Sequence, residues 1–265
     1  MTSFVDARGL RISYERSGDG PDLTLIHAGV ADLHMWDDVV PQLTDSHTVL
    51  RYDMRGFGGT TEVDPGPWGA HDDLIGVLDA LDIESTAVVG VSMGGGAAIN
   101  AVLEFPDRFT ALVAVNPGLG GFEYTPDEWE ETLWNRIVAS FEKGRHDDTA
   151  RMEMEMWLAG PHRTVEDMDP ALVERMRPWL FTAYGKEPTT ENVPVDPPAA
   201  GRLGEIDIPT LVVLGELDVP GMEPVVDFIA EHVRGARRVD MAHVAHLAPL
   251  EDPDEFSRIL ADFLG

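Results

Sequence analysis

A serine set between two glycines is the feature of this sequence that points most directly to chemistry. The segment Gly90-Val91-Ser92-Met93-Gly94 follows the apolar run of residues 86–89 and precedes an apolar stretch at residues 95–103. The first run is rich in β-branched residues and predicts a buried strand, and the second predicts a helix. A turn this tight puts the serine in a sparsely allowed backbone conformation, with its hydroxyl above the sheet and the positive end of the helix beside it. We therefore interpret Ser92 as a nucleophile.

Histidine is the side chain best suited to activate such a serine, because it can accept the hydroxyl proton near neutral pH. In open α/β sheets, catalytic groups gather at the carboxyl ends of the strands. His243 and His246 both follow the last predicted strand and precede the final predicted helix. We assign the base to His246, five residues before Glu251, and we expect His243 to make a loop contact.

The carboxylate that orients the histidine should also follow a strand. The predicted strand at residues 210–214 is followed by Gly215-Glu216-Leu217-Asp218, so Asp218 is the candidate and Glu216 its rival. After the preceding strand, the corresponding position is Asn116. Its neutral amide cannot stabilise an imidazolium, and Asp218 is therefore preferred.

Short apolar runs alternate with helical patterns along the chain, which is typical of a mostly parallel sheet with helices on both faces. Residues 10–15 and 23–27, separated by a Gly-Asp-Gly-Pro turn, are interpreted as an opening hairpin. Parallel strands are predicted at residues 48–53, 86–91, 111–115, 210–214 and 237–241. Helices are predicted at residues 71–81, directly after Ser92, and at 224–233 and 253–264.

One segment interrupts this alternation and predicts a helical cap inserted between two core strands. The core comprises residues 1–117 and 204–265, and the cap residues 118–203. Thr125-Pro126-Asp127-Glu128 is a helix start of capping-box form, and further helices are predicted at residues 148–158 and 170–184. We expect the methionines and tryptophans of the cap to pack its own small core rather than to line a pocket: Met152, Met154, Met156, Trp157 and Trp179.

The composition restricts the classes of partner. The 265 residues include 48 acidic residues against 19 lysines and arginines, a formal net charge of −29. Such a surface repels phosphate backbones and anionic lipid, so we expect neither nucleic acid nor a membrane as partner. The absence of cysteine excludes disulfides and thiolate metal sites. Residues 1–8 lack the apolar core of a signal peptide, and we expect a cytoplasmic protein that needs no metal or other cofactor.

These features resemble the α/β-hydrolase superfamily, whose members also carry the three groups in the order Ser, Asp, His. Besides the serine turn, His27-Ala28-Gly29 resembles the family's His-Gly loop, and residues 52–58 resemble its Tyr-Asp-x-Arg-Gly turn. The resemblance implies an α/β-hydrolase fold. It also implies a structural role for three residues of these motifs: His27, Asp53 and Arg55.

By the same resemblance, the backbone amides of Gly29 and Met93 form the oxyanion hole. This sequence departs from the family at two of these positions. Ala28 stands where a glycine is usual, and Gly29 stands where a large apolar residue is common.

Within the superfamily, residues 32–36, the Gly-Glu-x-Asp segment ending at Asp218 and residues 245–247 resemble the 3-oxoadipate enol-lactonases. The expected function is therefore cleavage of a small ester or lactone through an acyl-enzyme, with a carboxylesterase or a lactonase as the closest description. The alternatives are a carbon–carbon bond hydrolase, a cofactor-free haloperoxidase and a ligand-binding receptor on the same scaffold. Ser92 disfavours relatives with an aspartate nucleophile, and the acidic excess of the cap favours a neutral acyl group over a dianionic one.

Overall fold

A mixed β-sheet forms the centre of the molecule. The computed structural model describes residues 2–64, 66–186 and 188–265. Within these residues the sheet has nine strands, in the order β1-β2-β4-β3-β6-β7-β8-β9, with β5 paired to β2. The strands are β1 (Ser3–Ala7), β2 (Leu10–Ser17), β3 (Asp22–Ile26), β4 (Thr48–Tyr52), β5 (Thr61–Glu62), β6 (Thr86–Val91), β7 (Phe109–Val115), β8 (Thr210–Gly215) and β9 (Arg237–Met241).

The predicted opening hairpin is wrong. Strands β2 and β3 are not neighbours, because β4 lies between them, antiparallel to β2 and parallel to β3. The hairpin in this region joins β1 to β2 through Arg8 and Gly9, which have positive φ angles of 48° and 73°. The apolar strand β3 thereby lies between two parallel neighbours, β4 and β6, where both of its faces are covered.

Helices cover both faces of the sheet. They are α1 (Val40–Leu43), α2 (Ala70–Ala80), α3 (Met93–Glu104), α4 (Glu128–Phe141), α5 (His146–Met154), α6 (Pro170–Tyr184), α7 (Met222–His232), α8 (Ala248–Glu251) and α9 (Pro253–Leu264). Along β6, Val88 packs in the core that α2, α3 and α7 cover, whereas Val89 and Val91 pack in the core that α1 and α9 cover. This alternation follows from the two-residue period of a strand and explains why the central strands are apolar throughout.

The chain between β7 and β8 adds no strand to the sheet within its described residues, and it contains α4, α5 and α6. We call residues 118–203 the helical insertion. Helix α4 begins later than the sequence pattern suggests, because Asp127 and not Thr125 caps it by accepting a hydrogen bond from Glu130 N–H at 2.8 Å. Asp127-x-x-Glu130 has the same capping spacing as the predicted Thr125-x-x-Glu128, two residues further along the chain.

Helix α5 continues into a π-helical turn at Glu155–Ala159. Met154, Met156 and Trp179 are buried, whereas Trp157 is only partly buried. In the part of the chain that the structure describes, no helix combines the length and the apolar character needed to cross a lipid bilayer.

Candidate active site

The carboxyl ends of the parallel strands meet at one edge of the sheet, and Ser92 lies there at the turn between β6 and α3. Its backbone has φ 55° and ψ −114°, a region that side chains rarely adopt. Ser92 N–H donates to Val115 O at 2.9 Å. Ser92 C=O accepts from Gly96 N–H at 2.9 Å and from Gly118 N–H at 3.0 Å. The neighbouring backbone therefore holds the strained conformation, as is common at functional sites.

The glycines on either side of Ser92 are required by space. A Cβ atom on Gly90 would lie 2.2 Å from Gly94 O, and one on Gly94 would lie 2.5 Å from His27 O. Both distances are far below van der Waals contact. The close approach of α3 to β6 and β3 therefore explains the spacing of the motif.

His246 and Asp218 lie together in the loops that follow β9 and β8. His246 Nδ1 is 2.7 Å from Asp218 Oδ2, and the two side chains are 3% and 1% exposed. Asp218 Oδ1 accepts from Val219 N–H at 2.7 Å, so the carboxylate is fixed through both oxygens. A carboxylate facing Nδ1 keeps the ring proton on that nitrogen and leaves Nε2 able to accept a proton.

Ser92 and His246 line one cavity of about 250 Å³, which we call the small cavity. Trp157 also lines it, and its ring lies against that of His246 with centroids 4.7 Å apart. Trp157 is thus the one residue of the five methionines and tryptophans named above that lines this cavity. The expectation that it does not line a pocket is wrong, although it also packs against buried apolar residues.

The alternatives to Asp218 and His246 lie elsewhere. Glu216 is exposed, and its backbone N–H donates to Met241 O at 3.0 Å. His243 is exposed with φ 66°, and its carbonyl oxygen accepts from Arg163 Nη1 at 3.0 Å. Among the described residues that line the small cavity, neither Glu216 nor His243 occurs.

Asn116 fastens the loop that carries His246 to the end of β8. Its side-chain N–H₂ group donates to Ala245 O at 3.2 Å and to His246 O at 2.9 Å. Its Oδ1 accepts from Gly215 N–H at 3.0 Å. Asn116 is fully buried with φ 42°, a conformation that asparagine tolerates better than most residues. The sequence alone predicts only that Asn116 cannot serve as the orienting carboxylate. Its position directly after a strand is the one signal in the sequence for this structural role.

A salt bridge that the sequence did not predict links the helical insertion to the same loop. Arg163 Nη2 is 2.8 Å from Glu251 Oε2, and Glu251 Oε1 accepts from Ala245 N–H at 2.7 Å. Burial raises the pKa of Glu251, and the Ala245 N–H and Arg163 oppose that shift. Arg163 and Glu251 therefore hold the same loop that Asn116 binds.

His27 is buried and held by the backbone. Its Nε2 accepts from Met54 N–H at 3.0 Å, so Nδ1 carries the proton and donates to Ala28 O at 2.7 Å. Burial lowers the pKa of His27, which keeps the ring neutral. The other two residues of these motifs are also buried and engaged: Asp53 accepts from the N–H groups of Leu33 and Gly59, and Arg55 pairs with Asp73 and Glu62.

Gly29 and Met93 line a second cavity of about 480 Å³, which we call the large cavity. A Cβ atom built on Gly29 would lie 3.5 Å from Met93 Cε, so the two residues are neighbours. Met93 is the first residue of α3, where backbone N–H groups lack partners within the helix. The lining is mostly apolar and comes from both the core and the helical insertion, which contributes Trp134, Ile137 and Leu180 among others.

Metal-binding side chains do not cluster in the part of the chain described here: it contains no group of three or more His, Asp or Glu residues arranged to hold a metal ion.

Comparison with known proteins agrees with this architecture. Residues 23–253 match the family model described as alpha/beta hydrolase fold. The match spans most of the chain, and the protein therefore belongs to the α/β-hydrolase fold family. Its class is that of the hydrolases built on this fold.

Individual relatives name different reactions. The chain is 34% identical to the 2-hydroxymuconate semialdehyde hydrolase of a Pseudomonas species, over 136 residues that cover 49% of this chain and 47% of that protein. It is 25% identical to the pimeloyl-[acyl-carrier protein] methyl ester esterase of Aeromonas hydrophila, over 97% of this chain and 100% of that protein. The solved structure of the enol-lactonase from Burkholderia xenovorans covers 99% of both chains with a TM-score of 0.77. At 22% identity, this last likeness shows the fold alone.

Proposed function

We propose that this protein is a serine hydrolase that cleaves a small ester or lactone through an acyl-enzyme. The observation that carries the proposal is the buried 2.7 Å contact between His246 Nδ1 and Asp218 Oδ2, with His246 and Ser92 lining one cavity. Ser92 Oγ attacks the carbonyl carbon while His246 Nε2 takes its proton and passes it to the leaving alcohol. Water then loses a proton to His246, attacks the acyl carbon and releases the acid and Ser92.

Two backbone amides stabilise the charge that develops on the carbonyl oxygen. We assign them to Gly29 and Met93, which lie side by side and line the large cavity. The leaving oxygen has to face His246, because His246 protonates it. The alcohol part of the substrate therefore occupies the small cavity, and the acyl part occupies the large one.

The helical insertion, residues 118–203, acts in this proposal as a cap on the core formed by residues 1–117 and 204–265. It supplies apolar side chains to the large cavity and Trp157 to the small one. The composition of these walls then determines which acyl and alcohol groups fit.

A neutral acyl group suits the large cavity best. Arg55 and Lys186 are the cations among its described lining residues. Arg55 is bound by Asp73 and Glu62, and Lys186 donates to Thr60 O at 3.0 Å and to Gly58 O. Cations engaged in this way are poorly placed to bind a substrate carboxylate as well.

The arginines of the helical insertion are also poorly placed to bind a substrate carboxylate. Among the described residues, none of these arginines lines the small or the large cavity: Arg136, Arg151, Arg163, Arg175 and Arg177. All of them except Arg136 form salt bridges with acidic side chains of the protein. A lactone or ester without a carboxylate is therefore the preferred substrate class.

A screen of p-nitrophenyl esters and small lactones tests the proposal, with intact-mass detection of the acylated protein. We expect turnover of at least one short-chain ester and a fluorophosphonate adduct on Ser92. Ser92→Ala should lose both while it keeps the wild-type unfolding temperature. A wild-type protein that forms no adduct after long incubation contradicts the assignment of Ser92 as the nucleophile.

Carbon–carbon bond hydrolysis is the second candidate, favoured by the 34% identity to 2-hydroxymuconate semialdehyde hydrolase. The two candidates predict different substrate rankings. Turnover of 2-hydroxymuconate semialdehyde with a higher kcat/KM than every ester and lactone of the screen would place this second candidate first.

A further inference from the structure

One residue that lines the small cavity carries a carboxyl group that the proposed reaction does not use. Glu130 lines the cavity together with Ser92 and His246, and it is only 6% exposed. Its Oε1 accepts from the hydroxyl group of Tyr124 at 2.6 Å. Its Oε2 is buried and, among the residues that the structure describes, has no hydrogen-bond partner.

The position of Glu130 makes this arrangement unusual. Glu130 is the third residue of α4, where a glutamate side chain commonly turns back to the backbone N–H of the capping residue. Here Oε1 pairs with Tyr124 instead. The ring of Tyr124 lies directly over Gly221, where a Cβ atom would come within 2.5 Å of it. Glycine at that position therefore lets Tyr124 approach and hold Glu130 at the cavity.

An unpaired buried carboxyl oxygen is unfavourable, and a ligand that completes its hydrogen bonding removes that cost. Burial raises the pKa of Glu130, the Tyr124 hydroxyl group and His246 lower it, and Asp127 and Asp218 raise it further. Oε2 has almost no accessible surface in this conformation, so the side chain turns slightly toward the cavity when a hydrogen-bond donor of the substrate supplies the missing partner. A substrate carboxylate at this position would instead be repelled by Glu130 and Asp218.

We infer that Glu130 is a specificity-determining residue, whose Oε2 accepts a hydrogen bond from a donor group on the alcohol part of the substrate. The donor is a hydroxyl group or the N–H of an ammonium group. This inference rests on the proposed ester hydrolysis, because it assigns the alcohol part to the small cavity.

Four esters of one acid, matched in ring size, test the inference. Their alcohol parts are cyclohexyl, which has no donor; 4-hydroxycyclohexyl, a neutral donor; piperidin-4-yl, a cationic donor; and 1,1-dimethylpiperidinium-4-yl, a cation without a donor. The measured quantity is the ratio of kcat/KM for each ester to that for the cyclohexyl ester. The two donor esters distinguish a hydroxyl from an ammonium ligand.

We expect the wild type to favour at least one donor ester by about fivefold or more, since one hydrogen bond contributes about 1 kcal/mol. Glu130→Leu should reduce that ratio to about one. Glu130→Gln keeps the size of the side chain and serves if the leucine variant does not fold. Its oxygen is held by the Tyr124 hydroxyl group, so an N–H₂ group replaces the acceptor Oε2 and the ratio should again fall to about one. Glu131→Gln, on the exposed face of the same helix turn, is the matched control and should keep the wild-type ratio.

Three results would overturn the inference. They are a wild type without preference for either donor ester, an equal preference for the dimethylpiperidinium ester, and a loss in Glu130→Leu that is uniform over all four esters. The last result would mean that Glu130 acts through His246. Failure of the proposed function is distinguishable, because the wild type would then neither hydrolyse the cyclohexyl ester nor form a fluorophosphonate adduct on Ser92.

Discussion

Asp218→Asn tests whether the carboxylate acts by orienting the imidazole of His246. Asp218 Oδ1 accepts from Val219 N–H at 2.7 Å. In the asparagine variant, the amide oxygen has to take the position of Oδ1, because only an acceptor can face that N–H group. Its N–H₂ group must then face His246 Nδ1, which is 2.7 Å from the present Oδ2. The ring responds by moving its proton to Nε2, and Nε2 can no longer take the proton of Ser92.

The expected fall in kcat is about four powers of ten, or about 5.5 kcal/mol of lost transition-state stabilisation. The assay is steady-state hydrolysis of the best p-nitrophenyl ester, with thermal unfolding to show that the fold is retained. Glu216→Gln, in the same loop but exposed, is the matched control and should change kcat by less than about twofold. A kcat in Asp218→Asn within tenfold of wild type, or an equal loss in Glu216→Gln, refutes the assignment of Asp218.

Three further substitutions test the scaffold of the site. Asn116→Asp places an acceptor against Ala245 O and His246 O, so it should lower the free energy of unfolding by about 3 kcal/mol or more. It should also lower kcat, because the loop that carries His246 loses its hydrogen bonds. An unchanged urea midpoint would contradict this role. Gly90→Ala should destabilise by about 3 kcal/mol or more because its Cβ would lie 2.2 Å from Gly94 O, whereas Gly204→Ala, with open space around it, should not. Burial raises the pKa of Asp32 to about 6. The folded protein therefore binds the proton of the Asp32 carboxyl group more tightly than the unfolded chain does, and the free energy of unfolding falls as the pH rises towards 6. Asp32→Asn keeps an acceptor for His34 N–H, and it should be more stable than wild type by up to about 3 kcal/mol near pH 7 but not near pH 4. If Asp32→Asn and the wild type had equal urea midpoints at pH 7 as well as at pH 4, the raised pKa of Asp32 would be refuted.

Much of the fold was predictable because its signals are local. The α/β fold is confirmed, and the turn at Ser92 follows from β-branched residues before it, small residues after it and glycines around it. The bounds of α6 and α9 agree with the predicted residues 170–184 and 253–264. For α9, Asp252 caps the helix by accepting from Glu255 N–H at 2.9 Å, and Pro253 occupies the first position. Caps and periodicity act over a few residues, and a sequence displays them directly.

The order of the first strands was decided only by the tertiary structure. A short turn between two apolar runs predicts a hairpin, yet β4, from a later part of the chain, takes the place between β2 and β3. Pairing depends on which arrangement buries both faces of β3, and that is a property of the whole sheet.

The sequence by itself placed candidate side chains at the strand ends, because parallel strands bring their carboxyl ends to one edge. Which of two nearby residues turns inward was decided by long-range contacts. Asp218 is buried against His246, whereas Glu216 is exposed two residues earlier. Asn116 and Glu130 lie 130 and 116 residues from His246 along the chain, so no local pattern relates them to it. Packing of distant segments around one cavity gives both side chains their surroundings, and only the folded chain brings those segments together.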